Sequence, residues 1–163
     1  MARKGSKGVR RRASRLAAVQ ALYQMEIANK SCAEAMEDFR RRRLVGVVDG
    51  EDQITPESVD EELFSDIVEG VTRSLGQIDS AIDKAIAMQR GVDRVEVIIR
   101  LILRAGTYEL MDRPDIDAPL SINEYVAVAQ AFFGGPEPAF VNGVLDRLAR
   151  DLKNPETAVD GEG

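Results

Sequence analysis

Apolar residues recur every three or four positions along most of the chain, which is the spacing that lines one face of an α-helix. The series Val59, Leu63, Ile67, Val71 and Leu75 is a clear example. Alternating runs joined by hairpin turns, which are typical of strands, do not occur in the sequence. We therefore predict an all-α helical bundle of about seven helices. The predicted helices cover residues 11–28, 33–43, 59–75, 78–90, 94–111, 121–133 and 138–152.

Short polar signals mark the starts of two predicted helices. Ser58 stands where a capping residue would open the third helix. Ser121 and Glu124 have the spacing of a capping box, which predicts that the sixth helix begins at Ser121. Asn123 and Glu124 are accordingly interpreted as local hydrogen-bonding residues. Gly143, inside the seventh helix, is interpreted as a position of close helix packing.

The fifth predicted helix is apolar nearly all round, because residues 95, 97–99 and 101–103 are all Val, Ile or Leu. A helix without a polar face is expected to be covered on every side. It is therefore either the central helix of its bundle or packs one face against another chain. The sequence favours the central position.

The composition excludes several classes of protein. The 163 residues include no histidine and one cysteine, Cys32, so the chain lacks the usual general base and cannot form an internal disulfide or a cysteine metal cage. No nucleophile–base pair or glycine-rich phosphate loop takes their place, and we predict no enzyme activity, no cofactor and no metal. The longest uncharged run, Tyr125–Pro136, is too short to span a membrane. A single cysteine fits a cytoplasmic protein.

Positive charge is concentrated at the amino terminus. Residues 1–15 hold seven bases, the first acidic residue is Glu26, and the remaining chain has fifteen bases against 28 acidic residues. We interpret residues 1–9 as a disordered basic tail, residues 10–152 as the folded domain and residues 153–163 as a disordered acidic tail. A polyanion is therefore expected to bind at the amino-terminal end.

Two arginine runs differ in their surroundings. Residues 40–43 end a predicted helix, where the helix dipole favours cations, and Glu37 lies one turn earlier, so local stability explains this run. Arg11, Arg12 and Arg15 instead share a face at the start of the first predicted helix, where the dipole is unfavourable and no acidic residue is near in sequence. Because arginine binds phosphate in a bidentate way and stacks on unpaired bases, this run predicts binding of RNA rather than duplex DNA.

Four blocks of residues occur in order along the chain. They are residues 11–23 (RRASRLAAVQALY), Leu103-Arg104 with Tyr108-Glu109-Leu110, Ile122-Asn123-Glu124, and residues 140–146 (FVNGVLD). In this order and at this spacing they resemble the NusB transcription antitermination family, over about residues 10–152. The loop Phe133–Ala139 departs from the family, in which this loop is polar or carries lysine.

The resemblance implies two packed helical subdomains, about residues 10–75 and 76–152. It also implies a non-enzymatic factor that binds boxA-type single-stranded sequences in nascent ribosomal RNA transcripts, together with the ribosomal protein NusE, and promotes processive elongation by RNA polymerase. Some family members form homodimers, for which the apolar fifth helix is suited. Two alternatives stay open: a helical protein–protein scaffold or dimer without RNA specificity, and a NusB-like RNA-binding module of ribosomal RNA modification.

The charge pattern and the resemblance together provide the candidate site residues. The RNA-binding candidates are Lys4, Lys7, Arg10, Arg11, Arg12, Arg15 and Phe140. The candidates for contact with the partner protein are Tyr23 and Glu109. Competing structural interpretations assign Phe140 to the core, Tyr23 to a half-buried position and Glu109 to an exposed helix face.

Overall fold

The computed structural model describes residues 6–41, 58–86 and 95–154, and within these ranges it holds seven α-helices and no strand. The all-α prediction is confirmed. The helices are α1 (Lys7–Ala28), α2 (Cys32–Arg40), α3 (Glu61–Arg73), α4 (Leu75–Ile86), α5 (Val97–Asp112), α6 (Ala118–Phe132) and α7 (Glu137–Lys153). They belong to two compact units, and the division falls between Arg73 and Ser74.

The predicted terminal tails fall mostly outside the described residues. This applies to residues 1–5 and to residues 155–163. Residues 7–9, predicted to belong to the basic tail, instead form the first turn of α1. Lys153 likewise ends α7 and does not begin the acidic tail.

The core of the first unit lies where α1 and α3 pack together. Ala17, Ala18 and Ala21 of α1 are fully buried, and their small side chains allow a close approach of the two helices. Phe64 of α3 packs against Phe39 of α2, with ring centroids 4.4 Å apart. The alanine-rich stretch of α1 therefore serves both as a strong helix former and as a packing surface.

Helix α2 begins at a capping box that is absent from the sequence-based predictions. The Ser31 hydroxyl accepts a hydrogen bond from the Glu34 backbone N–H at 3.1 Å, and the Ser31 backbone N–H donates to the Glu34 carboxylate at 3.2 Å. The hydrogen bond from the Ser31 backbone lowers the pKa of Glu34 below its ordinary value. The preceding helix ends at Asn29, whose left-handed conformation (φ 54°) turns the chain toward α2.

Helix α5 is the central helix of the second unit. It packs against α4, α6 and α7, and its side chains between Ile99 and Glu109 are buried except for those of Arg100 and Arg104, which are partly buried. Both Nε and Nη2 of Arg104 donate to the Asp79 carboxylate of α4 at 2.8 Å. The predicted central position is confirmed, while the homodimer stays a prediction.

The start of α6 differs from the prediction. The helix begins at Ala118, after Asp117, with Pro119 in its first turn, where the missing proline N–H removes no helical hydrogen bond. Ser121 therefore lies inside the helix, where it is buried and donates a hydrogen bond to Glu109 at 2.8 Å. The predicted capping box at Ser121 and Glu124 is wrong, because the helix begins three residues earlier and the Ser121 hydroxyl donates to Glu109.

Gly106 of α5 permits a close approach of α6 and α7. A Cβ atom at this position would lie 2.9 Å from Cδ1 of Leu145 and 3.3 Å from Cδ2 of Tyr125. Gly143, the predicted packing glycine, is exposed, and a Cβ atom there would meet no described atom within 4 Å. The prediction for Gly143 is wrong because this side of α7 is exposed.

Replacing Gly106 with valine is expected to lower the free energy of unfolding by about 2 kcal/mol. Leu145 and Tyr125 are both fully buried, so neither side chain can move aside without disturbing the core. Urea unfolding followed by circular dichroism measures the effect. Gly143→Val is the matched control, for which we expect a change of less than about 1 kcal/mol. Equal losses at the two positions would contradict the packing role of Gly106.

Candidate nucleic-acid interface

Helix α1 begins one turn earlier than predicted. The Ser6 hydroxyl caps it by accepting a hydrogen bond from the Val9 N–H at 3.2 Å, and the first helical residue is Lys7. Arg11 and Arg12 therefore lie in the second turn, where the unfavourable effect of the helix dipole on positive charge is weaker. The dipole acts mainly on Lys7, and no acidic residue occupies the first turn to compensate it.

Arg10 and Arg11 are held by the short segment that precedes α3. Nη2 of Arg10 donates to the carbonyl oxygen of Val59 at 3.1 Å. Nε of Arg11 lies 3.6 Å from a carboxylate oxygen of Asp60, and about a fifth of each of these two side chains is exposed. The sequence places no acidic residue close to this run, but the fold brings Asp60 to it. The run is therefore partly neutralised by the chain itself.

Asp60 lies beside this run but is missing from the predicted site. Its other carboxylate oxygen accepts a hydrogen bond from the Leu63 N–H at 3.2 Å, so Asp60 caps α3, and the predicted cap at Ser58 is wrong. Aspartate is a better capping residue than its neighbours Val59 and Glu61, and this preference is the only sequence signal that marks Asp60. The sequence around Asp60 carries no local signal for its contact with Arg11.

The remaining basic candidates separate into exposed and buried residues. Lys7 and Arg12 are exposed, whereas Arg15 is only 2% exposed. Arg15 therefore packs inside the first unit and offers no surface to RNA in this structure. Lys4 lies outside the described residues. The basic patch consists of Lys7, Arg10, Arg11 and Arg12.

The second arginine run has the structural role predicted for it. Nε of Arg41 lies 2.8 Å from a Glu37 carboxylate oxygen, and Nε of Arg40 lies 3.2 Å from one of Glu61. Arg42 and Arg43 lie outside the described residues. A groove of about 570 Å³ beside α2 is lined by side chains of both signs of charge. This mixed surface is less suited to a polyanion than the basic patch.

The aromatic candidates lie on different parts of the chain. Phe140, in the first turn of α7, is 39% exposed, so its predicted place in the core is wrong. The neighbouring Val141 and Val144 fill the core instead. Tyr23 of α1 is half-buried, as predicted.

Glu109 is fully buried, so its predicted place on an exposed helix face is wrong. Its two carboxylate oxygens accept hydrogen bonds from the hydroxyl groups of Ser121 and Tyr125, each at 2.8 Å. The physical reason is that a buried carboxylate needs strong donors, and α6 supplies two of them. Glu109 joins α5 to α6 and has no exposed atom with which to contact a partner protein.

Three further features of the described residues concern the Cys32 thiol, metal binding and membrane-spanning helices. The Cys32 thiol is partly buried, and this burial raises its pKa, which makes the reactive thiolate scarcer. Residues 6–41, 58–86 and 95–154 contain no group of three acidic or cysteine side chains arranged to hold a metal ion. In the same ranges, no helix combines the length and the apolar character needed to cross a membrane.

The described residues define an all-helical protein of two compact units with a basic patch at the start of its first helix. The NusB family model matches residues 12–150, and the chain belongs to the NusB family. The resemblance noted in the sequence is thereby confirmed.

Relatives match over nearly their whole length. The chain is 42% identical to the transcription antitermination protein NusB of Caulobacter vibrioides, over 88% of this chain and 95% of that protein. The same identity relates it to the protein of that name from Sinorhizobium fredii, over 88% of each chain. Among solved structures, T. maritima NusB has a TM-score of 0.72 and 27% identity, over 91% of this chain and 94% of that chain. A chain in the structure of antitermination factors NusB and NusE in complex with dsRNA has the same fold, with a TM-score of 0.68 and 21% identity. The match covers 85% of this chain and 95% of that chain.

Proposed function

We propose that this chain is an RNA-binding transcription antitermination factor. It binds boxA-type sequences in nascent ribosomal RNA transcripts, together with the ribosomal protein NusE, and promotes processive elongation by RNA polymerase in the cytoplasm. The observation that carries the proposal is the 42% identity, over nearly the whole of both chains, to relatives named transcription antitermination protein NusB.

The basic patch supports RNA as the ligand. The chain has a net charge of −6, so a polyanion is repelled by most of the molecule and is attracted to the amino-terminal end, where the bases are concentrated. Lys7 and Arg12 are exposed there, and Arg10 and Arg11 are partly exposed. Phosphate groups of an RNA strand would bind these side chains, and the contacts would position the strand without reading its sequence.

An exposed aromatic residue supports a single-stranded target. Phe140 is 39% exposed at the start of α7, and base stacking on an aromatic ring contributes about 1–3 kcal/mol per base. Tyr23 is the remaining candidate for contact with NusE. In this proposal the chain acts as an adaptor that holds RNA and protein together, and it catalyses no reaction.

An electrophoretic mobility shift experiment tests the proposal. The full chain is titrated into boxA-type RNA and into a scrambled RNA of equal length, each with and without NusE. We expect tighter binding to the boxA-type RNA and a further gain when NusE is present. Equal binding to both RNAs would indicate a general polyanion binder, and binding of NusE without RNA would favour the protein–protein scaffold.

The dependence of RNA affinity on salt concentration measures how many phosphate contacts the basic patch makes. If its four bases each neutralise one phosphate of single-stranded RNA, the logarithm of the association constant should fall against the logarithm of salt concentration with a slope of about −2.8. Fluorescence anisotropy at several potassium chloride concentrations measures this slope. A slope near zero would exclude binding through phosphate contacts.

A further inference from the structure

A polar junction ties the start of α3 to the second turn of α1. The Asp60 backbone N–H donates to the Ser14 hydroxyl oxygen at 2.7 Å and lies 3.4 Å from the Arg10 carbonyl oxygen. The Ser14 hydroxyl oxygen also lies 2.8 Å from the Asp60 carbonyl oxygen and 2.9 Å from that of Arg10, and its one hydrogen serves these two acceptors. Since Ser14 is fully buried, the backbone of Asp60 has a fixed place beside the basic patch.

The Asp60 carboxylate is fixed as well. One oxygen caps α3 through the Leu63 N–H, so the carboxylate cannot rotate freely without the loss of this hydrogen bond. The other oxygen faces Nε of Arg11 at 3.6 Å. This distance is an ion pair rather than a hydrogen bond, and the Arg11 Nε–H is buried without any hydrogen-bond acceptor among the described residues.

The Asp60 carboxylate restricts the orientation of the Arg11 side chain, because it lies at the Nε edge of the guanidinium group. A flexible arginine loses side-chain entropy when it binds a ligand, and a side chain that is already oriented loses less. With the Asp60 carboxylate at the Nε edge, the two terminal nitrogens are the donors that a second anion would meet. Such a fork of two N–H donors matches the geometry of a phosphate group.

We propose that Asp60 is a positioning residue of the RNA site: it orients Arg11 so that the terminal nitrogens of the guanidinium group receive an RNA phosphate in a defined register. This inference rests on the proposed function. It assigns to an acidic residue a favourable part in binding a polyanion, although its charge alone would repel RNA. Asp60 touches Arg11 and acts on the RNA through it.

The substitution Asp60→Asn tests the proposal because asparagine is an equally good capping residue and the backbone contacts do not depend on the side-chain charge. The matched control is Glu62→Gln, which removes one negative charge from an exposed position two residues further along. Both variants weaken the overall repulsion of RNA. We expect only Asp60→Asn to lower the affinity for boxA-type RNA, by about fivefold, the size of a typical coupling between contacting residues. Thermal unfolding of both variants checks that the fold is kept.

A double-mutant cycle with Arg11→Ala separates positioning from a general charge effect. If Asp60 acts through Arg11, Asp60→Asn should leave the affinity for boxA-type RNA unchanged in the Arg11→Ala background. An equal loss of affinity from Asp60→Asn in both backgrounds, or an equal loss in Glu62→Gln, would overturn the proposal while leaving the proposed function in place. A wild-type chain that binds neither RNA would overturn both. The NMR signal of the Arg11 Nε–H provides a readout without RNA, and it should shift in Asp60→Asn but not in Glu62→Gln.

Discussion

Replacing Lys7 and Arg12 together with glutamate is expected to lower the affinity for boxA-type RNA by about 100-fold at moderate salt. Both side chains are exposed at the start of α1, so the change replaces two attractive charges by two repulsive ones without disturbing the core. Arg10 and Arg11 remain in this variant, so two of the four bases of the patch are lost. Fluorescence anisotropy with labelled RNA measures the loss.

The matched control is the double substitution Arg40→Ala and Arg41→Ala. These arginines lie on α2 and pair with Glu61 and Glu37, so their charge is compensated locally. We expect RNA affinity to change by less than about threefold, because each of these charges is already compensated by its partner carboxylate. A larger loss in this variant than in the Lys7 and Arg12 variant would place the RNA on α2 and contradict the assignment of the basic patch.

Replacing Glu109 with alanine is expected to lower the free energy of unfolding by about 3–4 kcal/mol. The substitution leaves the Ser121 and Tyr125 hydroxyl groups buried without their shared acceptor, and it opens a cavity between α5 and α6. Urea unfolding followed by circular dichroism measures the change.

Two variants control this measurement. Glu109→Gln keeps one carbonyl oxygen as an acceptor and should lose about half as much stability. Asp146→Ala removes an exposed carboxylate that lies 3.6 Å from Arg150, and it should cost less than about 0.5 kcal/mol. A loss in Glu109→Ala no larger than in Asp146→Ala would show that the buried network contributes little.

The helices could be predicted from the sequence because their signals are local. The apolar spacing of three and four located all seven, and the apolar residues around α5 indicated its central position. Helix ends were less certain because capping signals compete. Ser121 and Glu124 have the spacing of a capping box, yet the helix begins earlier, at Ala118, and the fold buries Ser121 against Glu109.

The candidate site could be predicted only in part, since its burial depends on contacts between distant residues. The cluster of bases in the sequence marked the amino-terminal end as the candidate site for a polyanion. The burial of Arg15 and the approach of Asp60 depend on how α3 packs on α1, and the residues of the Ser14–Asp60 junction are 46 positions apart. A single sequence carries no local signal for such a pairing.

The length of α1 has a consequence for how large molecules share the first unit. At about 1.5 Å per residue, its 22 residues extend over about 33 Å. The basic patch lies at one end of this helix. At the other end, the turn at Asn29 leads into α2, which borders the groove of mixed charge. Two ligands, one on the basic patch and one at this turn, would therefore lie most of the helix length apart.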